Sequence, residues 1–185
     1  MGYSLAKKAN ELGANVTFVV GPTNLSMDLS NIQSIRVQDS EEMFNETIKY
    51  FKNSDVIICS AAISDFKPVQ AVKNKIKKEK GLESIKLEPT KDILLELGKI
   101  KTFQFLVGFA LETDNFIMNA KNKLKSKNLD AIVVNKIDDF NPISSDYNQI
   151  DFINSDLKIT SFEKKLKTDV SGDILNQIIK NVKET

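Results

Sequence analysis

Between Asp55 and Lys80 the chain reads DVIICSAAISDFKPVQAVKNKIKKEK, and this stretch concentrates groups that could do chemistry. An apolar run, Val56-Ile57-Ile58-Cys59, opens into the small residues Ser60-Ala61-Ala62 and then a lone acid, Asp65. Five lysines follow at Lys73, Lys75, Lys77, Lys78 and Lys80. An apolar strand that feeds a small-residue turn presents backbone amides to a ligand at the carboxyl edge of an open α/β sheet. Small side chains let the ligand approach that backbone closely. The lysines suit a ligand carrying several negative charges. The same residues also fit a core strand followed by a solvated basic loop, and residue type alone does not separate the two.

Other chemistries are narrowed by composition. The chain of 185 residues has no histidine, which removes Ser-His-Asp catalysis, histidine metal sites and histidine general bases. Formal net charge is +1, so no global basic field marks a nucleic-acid binder. One cysteine, Cys59, excludes an internal disulfide framework and fits a reducing, cytoplasmic setting. No apolar run approaches the ~20 residues that cross a bilayer, and the first residues lack a signal-peptide pattern. Neither a membrane nor a nucleic acid is expected as partner.

Two function classes compete on local patterns. Tyr3-Ser4-Leu5-Ala6-Lys7 matches the Tyr-x-x-x-Lys pair of NAD(P)-dependent short-chain oxidoreductases. In that class the pair sits late in the chain, and here no G-x-G-x-x-G occurs and no acid closes the strand after Val20. Alternatively the lysine run binds an anionic polymer, but only Phe66 lies near enough to supply the stacking such modules use.

These residues must be positioned by elements that alternate. Met1 to Leu12 carries Leu5, Ala6, Ala9 and Leu12 on one helical stripe, and Gly13 follows as a stop. Val16 to Val20 is a continuous apolar strand, of the kind buried on both faces in a parallel sheet. Ile32 to Val37 is a weaker strand. Asp39-Ser40 caps a helix from Glu41 to about Lys52, with Met43, Phe44, Thr47, Ile48 and Phe51 inward. After the central strand, Ile85 to Leu87 reads as a short strand and Lys91 to Leu97 as a helix with Asp92 in its first turn. Phe105 to Phe109 is a buried strand, and Thr113 caps a helix running to about Ser126. Ala131 to Val134 is the next strand. Gln149 to Asn154 and Leu157 to Thr160 form an antiparallel hairpin around Ser155-Asp156. A helix from Val170 to about Val182 ends the pattern. The order predicts a Rossmann-like, doubly wound, mostly parallel α/β sheet with a C-terminal hairpin, in one domain over residues 1–185.

An ordered set of short motifs adds a resemblance. Gly2-Tyr3-Ser4-Leu5-Ala6, the run from Gly13 to Pro22, and Ala61-Ala62-x-Ser64-Asp65-Phe66 occur with Lys75-Ile76-Lys77-Lys78 and Thr90-x-Asp92-Ile93-Leu94. Val107 to Thr113 and Asp130-x-Ile132-Val133-x-Asn135 complete the series. Over nearly its whole length the chain resembles phosphopantothenoylcysteine synthetase, the synthetase half of the bifunctional coenzyme A biosynthesis protein CoaBC. The resemblance implies a ligase that joins 4′-phosphopantothenate to L-cysteine, with CTP as a substrate and Mg²⁺ as the cation. The reaction passes through an acyl-cytidylate with release of pyrophosphate. It also implies a homodimer, with a decarboxylase half on the same or another chain.

The resemblance further implies site residues. Cys59, Ser60 and Ala61 match the nucleotide-binding turn, and Asp65 an acid that reaches the nucleotide through the cation. Lys75 matches the catalytic lysine, heading a Lys-x-Lys-x-x-Lys pattern with Lys77 and Lys80. Glu88, Pro89, Thr90 and Lys91 match a loop at the nucleotide, Phe109 an aromatic there, and Lys123 and Lys127 two helix lysines that face it. The i,i+4 spacing puts those two lysines on one helix face. Where the family has a glycine-rich stretch, this chain has Asp139 to Ser145, which leaves the phosphopantothenate contacts open. The family's first strand, with its Gly-Pro-Thr loop, asparagine and Ser-Ser-Gly-Lys turn, is not present. The expectation is an N-terminally truncated chain in which the strands Val16–Val20 and Val56–Cys59 lack their shared neighbour.

Overall fold

The protein's structure is a computed structural model that describes residues 1–70, 84–112, 116–136 and 145–184. Its central sheet has five strands in the order β3-β6-β7-β8-β9. These are β3 (Val56–Cys59), β6 (Phe105–Glu112), β7 (Ala131–Lys136), β8 (Tyr147–Asn154) and β9 (Ile159–Leu166). β3, β6 and β7 pair in parallel, and β8 and β9 close the sheet as an antiparallel hairpin. Parallel neighbours need a crossover, supplied by α3 (Ile93–Ile100) before β6 and α4 (Phe116–Ser126) before β7. The apolar runs of β6 and β7 are covered on both faces: Leu106, Val107, Ala110 and Ala131 through Val134 are all buried.

Two core layers sandwich this sheet. On one face Phe51, Ile93, Leu97, Ala120 and Leu124 pack on Leu106, Ala110, Ile132, Val134 and Ile153. Those residues come from α2 (Ser40–Phe51), α3 and α4. On the other face α1 (Gly2–Glu11) and α5 (Lys167–Glu184) cover Val107, Val133, Ile150 and Phe152 with Leu5, Val170, Ile174 and Ile178. Alternate residues of each strand thus feed opposite layers, as the two-residue strand period requires.

The ends of α2 and α3 are fixed by carboxylates. Asp39 accepts from the Glu42 amide and Glu42 Oε2 accepts from the Gln38 amide, a reciprocal cap. Asp92 accepts from the Leu95 amide and is the N-cap residue of α3, not a residue inside its first turn as the spacing predicts. Gly98 in α3 lets the chain at Lys127 come close: a Cβ there would stand 1.9 Å from the Lys127 carbonyl oxygen.

β1 (Thr17–Val20) and β2 (Gln33–Arg36) form a separate parallel pair, and among the described residues neither joins the five strands. β3 pairs with β6 and β1 with β2, so among the described residues no strand lies between β1 and β3, the gap that the sequence leads one to expect there. A second two-stranded pair was not foreseen. β4 (Phe66–Pro68) lies antiparallel to β5 (Leu87–Pro89), two residues later than the predicted Ile85–Leu87 strand. The expected Thr113 cap lies outside the described residues.

Candidate functional site at the carboxyl edge of β1 and β3

A cavity of about 410 Å³ opens where β1 and β3 end. Its walls come from four segments: Val20 to Thr23 after β1, Asp39, Ser40 and Met43 at the head of α2, Ala61 to Ser64 after β3, and Phe66, Lys67 and Thr90 from the ribbon and its exit. The size suits a small-molecule ligand. Position at the carboxyl ends of parallel strands is where open α/β sheets bind ligands. Ala61 and Ala62 keep the floor low, so a ligand reaches the backbone.

The β3 loop is tied to the ribbon by three bonds. Thr90 donates its amide to the Asp65 carbonyl at 2.9 Å and its hydroxyl to the Ser64 carbonyl at 2.5 Å. Ser64 donates its hydroxyl to the Phe66 carbonyl at 3.0 Å. Asp65 is exposed between two cavity-lining residues, Ser64 and Phe66. No group of three or more metal-ligating side chains occurs among the described residues. A single carboxylate is nonetheless a fitting donor for Mg²⁺, which keeps waters and takes most remaining oxygens from substrate phosphates.

Lys67 is the one cationic residue among the described cavity-lining residues. Its Nζ stands 3.6 Å from Glu41 Oε2 and 3.6 Å from Glu88 Oε1. Glu41 also takes Lys91 at 2.7 Å, and the Lys91 ammonium sits 4.7 Å from the centroid of the Phe44 ring. The Lys91 hydrogen bond and charge, aided by Lys67, hold the Glu41 carboxyl below its usual range. The ribbon is two-sided in consequence. Lys67 and Glu88 are register partners on one face, while Phe66, Pro68, Leu87 and Pro89 share the other. Phe66 and Leu87 on that second face are 56% and 57% exposed.

Behind the cavity lies a second group. Lys127 continues the α4 helix by donating its amide to the Lys123 carbonyl, and its ammonium reaches Asp92 at 2.7 Å. Burial opposes the charged form of Asp92. The Lys127 bond and charge, with the Leu95 and Leu94 amides, outweigh it and leave the pKa lowered. Cys59 is beside this pair: burial first, then the Asp92 charge, push its thiol up to about 12, with Lys127 acting in the opposite direction. Cys59 is therefore a packed thiol at neutral pH, which fits a structural role at the strand end.

The sequence-based assignments distribute unevenly. Ala61 and Thr90 line the cavity, Ser60 lies against the start of α1, and Pro89 faces Phe66 in the ribbon. Glu88 and Lys91 join the ion-pair cluster at the cavity's edge. Phe109 is half-buried in the layer beneath α1 and α5 and does not line the cavity. Lys123 is half-buried on α4, and Lys127 is bound to Asp92. Lys75, Lys77 and Lys80 lie outside the described residues, as do residues 139–144. Sequence reasoning missed Lys67, Met43 and the wall from Val20 to Thr23. Gly21-Pro22 at a strand end was the available signal for that wall.

Residues 1–182 match the family model for the DNA/pantothenate metabolism flavoprotein C-terminal domain. The chain belongs to this family. It is similar to the C-terminal domain of coenzyme A biosynthesis bifunctional protein CoaBC in a crystal structure, with a TM-score of 0.83 and 33% identity over 100% of this chain and 83% of that one. It is 37% identical to the Bacillus subtilis coenzyme A biosynthesis bifunctional protein CoaBC, over 100% of this chain and 46% of the relative. It is 42% identical to a cysteine/cysteine sulfinic acid decarboxylase of an unknown prokaryotic organism, over 97% of this chain and 50% of the relative. The chain thus spans about half the length of the curated relatives it matches. For a flavoprotein C-terminal domain of this family, a mixed α/β sheet closed by a hairpin is the fold expected from the sequence, and no described helix is long and apolar enough to cross a membrane.

Proposed function

We propose that this domain is the ligase half of coenzyme A biosynthesis, joining 4′-phosphopantothenate and L-cysteine at the expense of CTP. The observation that carries the reading is the match of the whole chain to the C-terminal domain of CoaBC at 33% identity. The cavity supports it, since its small-residue floor and carboxyl-edge position suit a nucleotide. In the proposed reaction the phosphopantothenate carboxylate attacks the α-phosphorus of CTP, and pyrophosphate leaves. The cysteine amine then attacks the activated carbonyl, and CMP leaves. Mg²⁺ would supply charge neutralisation at the phosphates, with Asp65 as its protein-side carboxylate. Ala61 and Thr90 would contact the nucleotide from the floor. Cys59, Ser60, Glu88, Pro89, Lys91, Phe109, Lys123 and Lys127 would shape or support the surrounding shell.

Lys75 is proposed as the catalytic lysine, stabilising charge that develops at the α-phosphate. Lys75→Gln should cut turnover by ~100-fold or more, the scale of losing one electrostatic stabiliser, with an unchanged melting temperature. A decarboxylase half, on the same or another chain, is also proposed, in line with the bifunctional name of the relatives. The reducing cytoplasm is the proposed setting. A homodimer is also proposed, supported by the exposed apolar face of the β4–β5 ribbon, and light scattering with Leu87→Lys tests it.

The deciding assay is pyrophosphate release by the protein expressed from its own gene. CTP, phosphopantothenate and cysteine should all be required. Turnover that depends on NAD(P) without pyrophosphate would reject the ligase for an oxidoreductase.

A further inference from the structure

The described lining of the cavity holds two charged side chains, and both are engaged. The Asp39 carboxylate caps α2 at 2.9 Å from the Glu42 amide. Lys67 hangs between Glu41 and Glu88 at 3.6 Å from each, a separation at which an ammonium feels both charges without a close hydrogen bond to either. Glu41 holds a second lysine, Lys91, at 2.7 Å from the next segment around the rim. One carboxylate on the first turn of α2 therefore ties down two lysines from the ribbon and its exit. All the side chains concerned are 41–50% exposed, so the pairs are solvent-screened and exchange readily.

We propose that Glu41 is an internal counter-ion that occupies Lys67 and Lys91 between turnovers and yields them to a ligand bearing several adjacent negative charges. The inference rests on the reading of this cavity as the nucleotide site. A single carboxylate competes poorly with a triphosphate, which offers several oxygens to two lysines at once. It competes well with a monophosphate. Glu41 thereby acts as a positioning residue that selects polyphosphate over monophosphate, and it holds Lys67 and Lys91 at the cavity's edge between turnovers. Glu88, its register partner on the same face of the ribbon, is a second carboxylate within reach of Lys67.

Calorimetric titration of the 185-residue chain with CTP, CMP and tripolyphosphate at low salt tests this. Glu41→Gln should tighten CTP and tripolyphosphate by about two- to five-fold, the range of exposed ion-pair strengths, and should narrow the preference for CTP over CMP. Lys67→Gln should weaken both polyphosphates, and the gain from Glu41→Gln should shrink in that background. Glu46→Gln is the control: it removes an equal charge from the same helix, where the partner is Lys49. An affinity in Glu41→Gln equal to that of the parent, or a matching gain in Glu46→Gln, overturns the counter-ion and leaves the nucleotide site standing. A folded parent chain that binds neither CTP nor tripolyphosphate removes the nucleotide site itself, and the counter-ion with it.

Discussion

Asp92 illustrates how one side chain serves both fold and site. It caps α3, receives the Lys127 ammonium and sets the field at Cys59. Its folded pKa is depressed, so its charged form contributes stability that is fully present above the unfolded carboxylate value of about 3.9 and is lost as pH falls through the folded pKa. Asp92→Asn keeps a competent cap and removes only the charge. We expect it to cost about 0.5 kcal/mol at neutral pH, the scale of a screened pair. Urea denaturation should show that difference closing below pH 4; a constant gap would mean that Asp92 acts only as a cap. The same residue marks the limit of sequence reading. Ala61 was legible because a small-residue turn after an apolar strand has a known use, and Thr90 only through the family resemblance. Lys127 was legible as a helix-face lysine, but its commitment to Asp92 was not, because the two lie in different elements and meet only through the packing of α3 against the end of α4. Lys67 carries no local signal at all, since its neighbourhood is made by Glu41 and Glu88, which are distant in sequence.

Among the elements, β6 and β7 were read closely because unbroken apolar runs can only be buried strands at that length. The β4–β5 ribbon was opaque. Three residues, Phe66-Lys67-Pro68, show no period, and a proline at the end of each strand argues locally against pairing. Only the ladder to Leu87–Pro89 makes β4 a strand. The packing of α3 was equally hidden, since an interior helix glycine reads as a weakness until the neighbour that needs the space is known. Gly98→Ala should therefore destabilise the domain by about 3 kcal/mol or more, despite alanine's better helix propensity. The new Cβ meets the Lys127 carbonyl, a backbone atom that cannot swing away. Gly108→Ala should cost less, because its Cβ meets the ends of the Leu94 and Leu129 side chains. Thermal melting of the two variants orders them; equal losses would mean that the Lys127 backbone shifts freely.

The whole molecule has two mechanical grades. β6 and β7 lie within two closed core layers, whereas β1 is half-buried along its length and β2 mostly exposed. Subglobal opening follows burial and contact density. Amide exchange should be faster in β1 and β2 than in β6 and β7, with nucleotide protecting the β1 end preferentially. Uniform protection would argue against an independent β1–β2 unit. The overall plan, helices alternating with strands and a closing hairpin, was legible from periodicity, and the gap between β1 and β3 was expected from the family resemblance.

That separation also bears on how the protein behaves in the tube. Among the described residues six strands have an unpaired edge: β3 and β9 bound the five-stranded sheet, and β1, β2, β4 and β5 each pair on one side only. β9 carries Glu163, Lys164 and Lys165, charges of the kind that keep edges from sticking. β1 reads Thr-Phe-Val-Val and β3 Val-Ile-Ile-Cys, with no charge in either. A formal charge of +1 and an isoelectric point near 7.7 leave little long-range repulsion to hold copies apart. Concentrated stocks at neutral pH should therefore grow turbid through these two strands, and turbidity should fall when the buffer is moved well away from pH 7.7. A charged residue placed at Val56, which is already 36% exposed, should extend storage life more than one placed on β9.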